Sequence, residues 1–269
     1  MKTPKRIVVW FSCGAASAVC AHVVLKRFRN QTEVVLAYTD PGTYDPDNGV
    51  YVGEHPDNKR FLEDCEEWLN FPITILKSEK YDNPIEVWED RKYICGTAGA
   101  PCTGELKKKL RESFQIPYED LQVFGFTNEE QDRADRFRQN NPEANLWTPL
   151  IDLMLNKADC LAFLKEEGID LPAMYKLGYR NNNCIGCCKG MSGYWNKIRK
   201  DFPETFNAVA GVERKVGAAI NKRHEGEERI RVFLDELPEG MGNYSAEPDI
   251  ECGLLCQMAR AKKEEDCEI

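Results

Sequence analysis

The chain has 269 residues, 42% of them hydrophobic and 30% charged, the balance of a soluble globular protein of one or one and a half domains. Its net charge of −9 argues against a broad nucleic-acid or anionic-membrane surface, while leaving room for a local basic patch. No apolar run approaches the roughly 20 residues of a spanning helix. The start, MKTPKRIVVWFS, reads as a strand rather than a secretion signal, so a cytosolic location is expected.

Strand-like and helix-like stretches alternate through the first half of the chain. RIVVWF is strand-like and SAVCAHVVLKRF helical; TEVVLAYT is again a strand and DNKRFLEDCEEWLN a charged amphipathic helix. ITILK follows, then helical PIEVWEDRKYI and GELKKKLRESF, and LQVFGFT supplies a fourth strand. This order predicts an α/β fold with a doubly wound, mostly parallel sheet. Ligands of such sheets bind beyond the carboxyl ends of the strands, which directs attention to the loops after Phe11, Tyr38 and Phe124. From about residue 181 the periodicity is lost in RNNNCIGCCKG. A helix-like run broken at Pro203 then reaches about Ile220, and an acidic tail follows. The expected organisation is a main α/β domain over 1–180 and a Cys-rich C-terminal extension over 181–269.

The turn Ser12-Cys13-Gly14-Ala15-Ala16-Ser17 sits between the first strand and the first helix. Small residues there let backbone N–H groups face an anion, and the helix N-terminus adds its positive dipole end. Ser12 and Ser17 can add hydroxyl donors, and Gly14 is read as the residue whose missing side chain admits the anion. The spacing does not fit G-x-x-x-x-G-K-[ST], and no lysine is present, so an ordinary P-loop NTPase is not expected. A turn that merely packs strand against helix has the same composition.

Twelve cysteines are many for a cytosolic chain, where disulfides are disfavoured and clustered thiols read as metal ligands or redox groups. Cys20, Cys65 and Cys160 fall inside helix-like patterns and read as buried structural thiols. Cys184-Ile185-Gly186-Cys187 is a C-x-x-C unit whose glycine lets both thiolates face one centre, and zinc and iron–sulfur clusters both accept such ligands.

Taken together, the motifs resemble the phosphoadenosine phosphosulfate (PAPS) reductase family of the adenine nucleotide alpha-hydrolase superfamily. S-C-G-A-A-S is similar to that superfamily's S-G-G-x-D-S pyrophosphate loop, and AYTDPGT to its D-T-G loop, placing Asp40 near the nucleotide. PCTGELKKKL resembles the C-T-x-x-L-K element, and VFGFTNEEQDRADRF the G-x-R-x-x-E-S-x-x-R region. TPLIDLMLNKADCLAFLKEEGIDLPAMYKLGYRNNNCIGC is similar to the P-L-I-D…L-P…Y…G-Y…G-C-x-x-C block, so the likeness spans residues 7–188 in order. The resemblance implies a nucleotide site of Ser12, Cys13, Gly14, Ala15, Ala16, Ser17, Asp40, Gly125, Arg133 and Arg136. Phe126 and Gln131 stand where the family often has Arg and Ser. Arg133 and Arg136, three apart, share a helix face and could reach one anion, although an exposed basic face would look the same.

The resemblance also implies a [4Fe–4S] cluster with Cys102, Cys184 and Cys187 as ligands. The family's adjacent cysteine pair is here Pro101-Cys102, so a fourth ligand must come from Cys188, Cys95, Cys252 or Cys256. Cys256 is preferred for its place beside another cysteine, Cys188 is the alternative, and a structural zinc site remains open. In the tail, I-E-C-G-L-L-C is similar to the mobile E-C-G-L-H of sulfonucleotide reductases, with Leu255 in place of histidine. Cys252 is then the implied catalytic nucleophile, with Lys107 or Arg136 as the compensating cation; the other reading makes Cys252 and Cys256 both ligands. A loop without lysine suits an enzyme that binds phosphate without cleaving it, unless Lys107, Lys108 or Lys109 supplies the charge.

The implied activity is reduction of a sulfonucleotide, PAPS or adenosine phosphosulfate (APS), to sulfite, with a thioredoxin-like reductant as partner. ATP-dependent thiolation of tRNA, DNA or a small molecule is a second reading, the only one to involve nucleic acid. A non-catalytic nucleotide or redox sensor is a third. None calls for a membrane.

Overall fold

The structure, a computed structural model, describes residues 4–225 and 228–250. In chain order its first elements are β1 (Arg6–Phe11), α1 (Ala15–Phe28), β2 (Glu33–Asp40), α2 (Asn58–Leu69), β3 (Ile73–Lys77) and α3 (Pro84–Arg91). A helical stretch follows as α4 (Pro101–Thr103), a π turn (Gly104–Lys108) and α5 (Lys109–Phe114). Then come β4 (Leu121–Phe124), α6 (Gln131–Asn140), β5 (Asn145–Trp147), α7 (Pro149–Asp152), α8 (Lys157–Glu166) and α9 (Ala173–Lys176). The last are α10 (Ser192–Asp201), α11 (Pro203–Val216), β6 (Asn221–Glu225) and β7 (Glu228–Val232). No described helix is long and apolar enough to cross a membrane.

The chain forms two compact units that interleave in sequence. Unit 1 comprises the chain up to Asp40, Asp57–Lys77 and Leu110–Asn182. Unit 2 comprises Pro41–Pro56, Ser78–Lys109 and the chain from Asn183 on.

Unit 1 is an α/β body around a five-stranded, all-parallel sheet of order β3-β2-β1-β4-β5. The four strands read from sequence form it; three-residue β5 is an addition. Successive residues of β1 point to opposite faces, and both faces are covered, which is why RIVVWF is an unbroken apolar run. Ile7, Val9 and Phe11 pack with Val19 of α1, Phe61 of α2 and Leu164 of α8. Val8 and Trp10 pack on the other face with Ala37, Phe124 and Phe114 of α5. Burying side chains of this size is worth about 1.5–3 kcal/mol each. The Trp10 indole N–H donates to Gln122 Oε1 at 2.6 Å, so the one polar atom of that apolar layer is satisfied. The chain runs outward from β1 to β3 and returns to the far side of β1 for β4 and β5, an order compatible with a doubly wound fold. The reversal lies between β1 and β4.

Unit 2 is built on α3, α4, α10, α11 and the antiparallel β6–β7 hairpin. Asn83 caps α3, its side-chain oxygen accepting from the N–H groups of Ile85 and Glu86 at 3.0 and 3.2 Å, with Pro84 in the first helical position. Trp88, Leu106, Ile185, Trp195 and Val209 are fully buried. The expected boundary near residue 180 falls beside the last crossing, Asn182 to Asn183; Pro41–Pro56 and Ser78–Lys109 join the second unit earlier in the chain.

Candidate functional site

In unit 1 the turn after β1 is held by Ser17. Its Oγ accepts from the N–H groups of Ser12 (3.1 Å) and Gly14 (3.3 Å) and donates to the Gly14 carbonyl at 2.8 Å. The Ala15 N–H faces the Tyr175 hydroxyl at 3.4 Å. The left-handed residue of the turn is Cys13, with φ +53°; Gly14 is extended, at φ −106°. Cys13 is fully buried, and its carbonyl accepts from Asn182 Nδ2 at 2.7 Å. The first turn of α1, starting at Ala15, therefore leaves its backbone donors at the carboxyl end of β1, where a helix favours an anion.

The remaining residues of the expected nucleotide site also belong to unit 1. Asp40 ends β2, in register with Lys77 of β3. Gly125 follows β4, against the backbone of the turn: a Cβ there would stand 2.9 Å from the Ala16 carbonyl oxygen and 3.0 Å from Ser17 Cα. The structure thus brings Ser12–Ser17 and Gly125 together at the strand-order reversal. Arg133 and Arg136 lie on α6 as expected. Arg133 pairs with Glu130 and stacks over the Phe126 ring at 4.9 Å, so part of its charge is already used. Cys20, Cys65 and Cys160 are buried in this unit, and burial pushes the Cys65 and Cys160 thiols up to about 12, leaving them inert.

In unit 2, five cysteines from three segments come together. Cys102, Cys184, Cys187 and Cys188 line one pocket with Trp88, Leu106, Lys107 and Lys189. Cys95 joins from the side, its thiol donating to the Cys188 carbonyl at 3.1 Å. Hydrogen bonding with Cys188 holds the Cys102 and Cys95 thiols below the usual range and makes the Cys188 proton harder to remove, while the Cys188 thiol itself faces the Ile94 carbonyl at 3.7 Å. Cys102 falls to about 7: the Cys188 hydrogen bond outweighs the opposing push of burial, and Trp88, Lys189 and Lys107 add to the downward shift. Lys107, one of the two cations expected beside Cys252, stands by Cys102 and also lies 3.6 Å from Glu54.

The C-x-x-C loop is shaped by residues the motif does not contain. Gly186 is left-handed at φ +75°, and a Cβ there would stand 2.5 Å from Thr205. The Ile185 N–H donates to the Gly53 carbonyl at 2.7 Å. Tyr194 of α10 spans the loop: its hydroxyl accepts from the Cys187 N–H at 2.9 Å and donates to the Cys184 carbonyl at 3.2 Å. Glu247 caps the helix carrying that tyrosine, accepting from the N–H groups of Gly193 (2.6 Å) and Tyr194 (2.9 Å). The Ile250 carbonyl accepts from Asn183 Nδ2 at 3.1 Å, so the described chain ends one residue from Cys184 in this network. Cys252 and Cys256, read as nucleophile and fourth ligand, lie outside the described residues.

Among the described residues no three His, Cys, Asp or Glu side chains are drawn tightly enough to hold a metal ion as they stand. The donor chemistry nevertheless fits a thiolate-bound centre: four cysteines line one pocket, two lysines offset their charge, and none of the described cysteines is tied up in a disulfide. Cys102, Cys184 and Cys187, read as ligands, line this one pocket, and so does Cys188, read as the alternative to Cys256 for the fourth place. Tyr194 and Trp88 are the functional neighbours that sequence reasoning missed; an aromatic residue on a helix carries no motif. Comparison with protein-family models and with curated proteins finds no match to this chain.

Proposed function

We propose that this chain is a PAPS reductase-like enzyme that binds an adenine nucleotide at the Ser12–Ser17 turn and uses cysteine thiolates for sulfur chemistry. The observation that carries the reading is the convergence of Cys102, far away in sequence, with the Cys184–Cys188 loop in one pocket flanked by lysines. Cys102, Cys184, Cys187 and Cys188 would hold a [4Fe–4S] cluster, with Cys256 as the other candidate for the fourth place. Such a cluster supplies an electron-transfer centre or a fixed local charge when bound.

The chain's own residues do the rest. Backbone N–H groups at the start of α1 receive phosphate oxygens, the Ser12 and Ser17 hydroxyls hold the turn by bonding within it, and Asp40, Gly125, Arg133 and Arg136 complete the nucleotide site. The Cys252 thiolate attacks the sulfur of PAPS or APS; a Cys–S–SO₃ bond forms, the S–O bond to phosphate breaks, and the nucleotide leaves with its electron pair. A thioredoxin-like dithiol then attacks Cys252 Sγ and displaces sulfite. Its second thiol resolves the mixed disulfide, returning Cys252 as a thiol and leaving the dithiol oxidised.

The test is anaerobic purification followed by incubation with PAPS, APS or ATP and a reduced dithiol protein. Brown protein with about four iron per chain, releasing sulfite, is the expected result. Pyrophosphate from ATP would replace this reading with an adenylating sulfur transferase. Nucleotide binding without turnover would make the chain a sensor, and colourless protein with one zinc would make the cysteine pocket structural.

A further inference from the structure

Cys13 is the strained point of the turn. A non-glycine residue at φ +53° pays a conformational cost and persists only where its surroundings hold it. One side chain of unit 1 does so directly. Asn182 Nδ2 donates to the Cys13 carbonyl at 2.7 Å and to Asn58 Oδ1 at 2.8 Å. Asn58 opens α2, and both asparagines are at least nine-tenths buried. The bond therefore lies out of water, where removing the donor leaves a buried carbonyl unsatisfied. Ser17 fixes the N–H groups of Ser12 and Gly14, on either side of Cys13, and Asn182 fixes the carbonyl between them.

We infer that Asn182, braced by Asn58, is a positioning residue for the anion-binding turn: it holds the left-handed backbone of Cys13 so that the donors at the start of α1 are set before a phosphate arrives. The inference rests on the nucleotide reading of the turn and names a residue outside the motif that reading used. Asn182 is the middle residue of Asn181-Asn182-Asn183, and the sequence alone does not distinguish it from its neighbours.

The test uses the full chain with ATP, PAPS and APS as probes and reads affinity by calorimetry, amide exchange at residues 12–17 and thermal stability together. Asn182→Leu, close in size but without a donor, should weaken nucleotide binding by about ten-fold, the worth of a buried hydrogen bond, and speed exchange across the turn. Cys13→Gly added to that variant should restore part of the affinity, because glycine adopts φ +53° without steric cost. If Asn182→Leu fails to fold, Asn182→Ser carries the same comparison. Wild-type affinity with unchanged exchange in the variant would overturn the inference, as would an affinity loss that merely tracks lost stability. Should the wild-type chain bind none of the three nucleotides, the functional reading fails; faster exchange confined to the turn would still uphold the positioning role.

Discussion

At the scale of single residues, the turn after β1 shows how far a motif can be read and where it misleads. Its small residues are legible as an anion loop, and Gly14 looks like the position that only glycine could fill. The structure gives that constraint to two others. Cys13 carries the positive φ, and Gly125, far off in sequence, has no room for a side chain. A Cβ on Gly14 would meet Tyr175 Oη at 3.4 Å, an ordinary contact, whereas one on Gly125 would press on the Ala16 carbonyl at 2.9 Å. Backbone cannot swing aside as a flexible side chain can, so β4 and the start of α1 would have to part. Gly125→Ala is therefore expected to destabilise the protein by about 1–3 kcal/mol, as overpacking does, and to weaken ATP or PAPS binding. Gly14→Ala should leave thermal stability almost unchanged. Chemical denaturation and calorimetry on the two variants check this; equal stability losses would show that the crowding at Gly125 is relieved elsewhere. The sequence could not reveal the difference, because a missing side chain has meaning only once the opposing backbone is in place.

At the scale of elements, helix α10 is more than a filler after the cysteine loop. Its N-terminal turn is capped by Glu247, and it presents Tyr194 to both ends of the C-x-x-C segment. Gly190 makes the approach possible, since a Cβ there would stand 1.9 Å from the Tyr194 ring. The C-x-x-C spacing singles out Cys184 and Cys187 from sequence alone, but the shape of their loop depends on a hydroxyl ten residues after Cys184. Groups that orient metal ligands commonly change metal affinity by about 10–100-fold when removed. Tyr194→Phe keeps the ring that packs on Trp195 and deletes only the hydroxyl. Its expected effect is loss of bound iron or zinc at a lower chelator concentration than in the wild type, with the melting temperature of the metal-free protein little changed. Identical chelator titrations would mean that the loop is held by Gly53 and Gly186 without help from the tyrosine. The same logic explains why the strands were easier to read than the site. A strand declares itself through its own residues, whereas the thiol pocket is assembled from segments around 95, 102 and 184–188.

At the scale of the whole molecule, the chain passes between its two units five times, after Asp40, Pro56, Lys77, Lys109 and Asn182. Only the last crossing coincides with a change in sequence character, so the alternation of strands and helices in the first half gives no sign that two segments belong elsewhere. Unit 2 thus depends on chain from both halves, and one of its fixed points is a buried carboxylate. Glu213, near the end of α11, is fully buried and accepts from the backbone N–H groups of Ile220 and Leu234, each at 2.5 Å. It joins the helix to the segments on either side of the β6–β7 hairpin. Burial raises its pKa to about 7, against the downward pull of those two hydrogen bonds and of Arg214, while Asp235 adds to the rise. The folded state consequently binds a proton more tightly than the unfolded chain, whose glutamate titrates near 4.5. Between these values the native protein holds more protons, so stability falls as pH rises. The contribution is fully present below the unfolded value and is lost as pH passes through about 7. Glu213→Gln, neutral at every pH, should remove that dependence. The melting temperature of the variant relative to the wild type should therefore be higher at pH 8 than at pH 5. Parallel pH profiles for the two proteins would show that Glu213 enters the folded state as a carboxylate stabilised by its backbone donors, with burial the weaker influence.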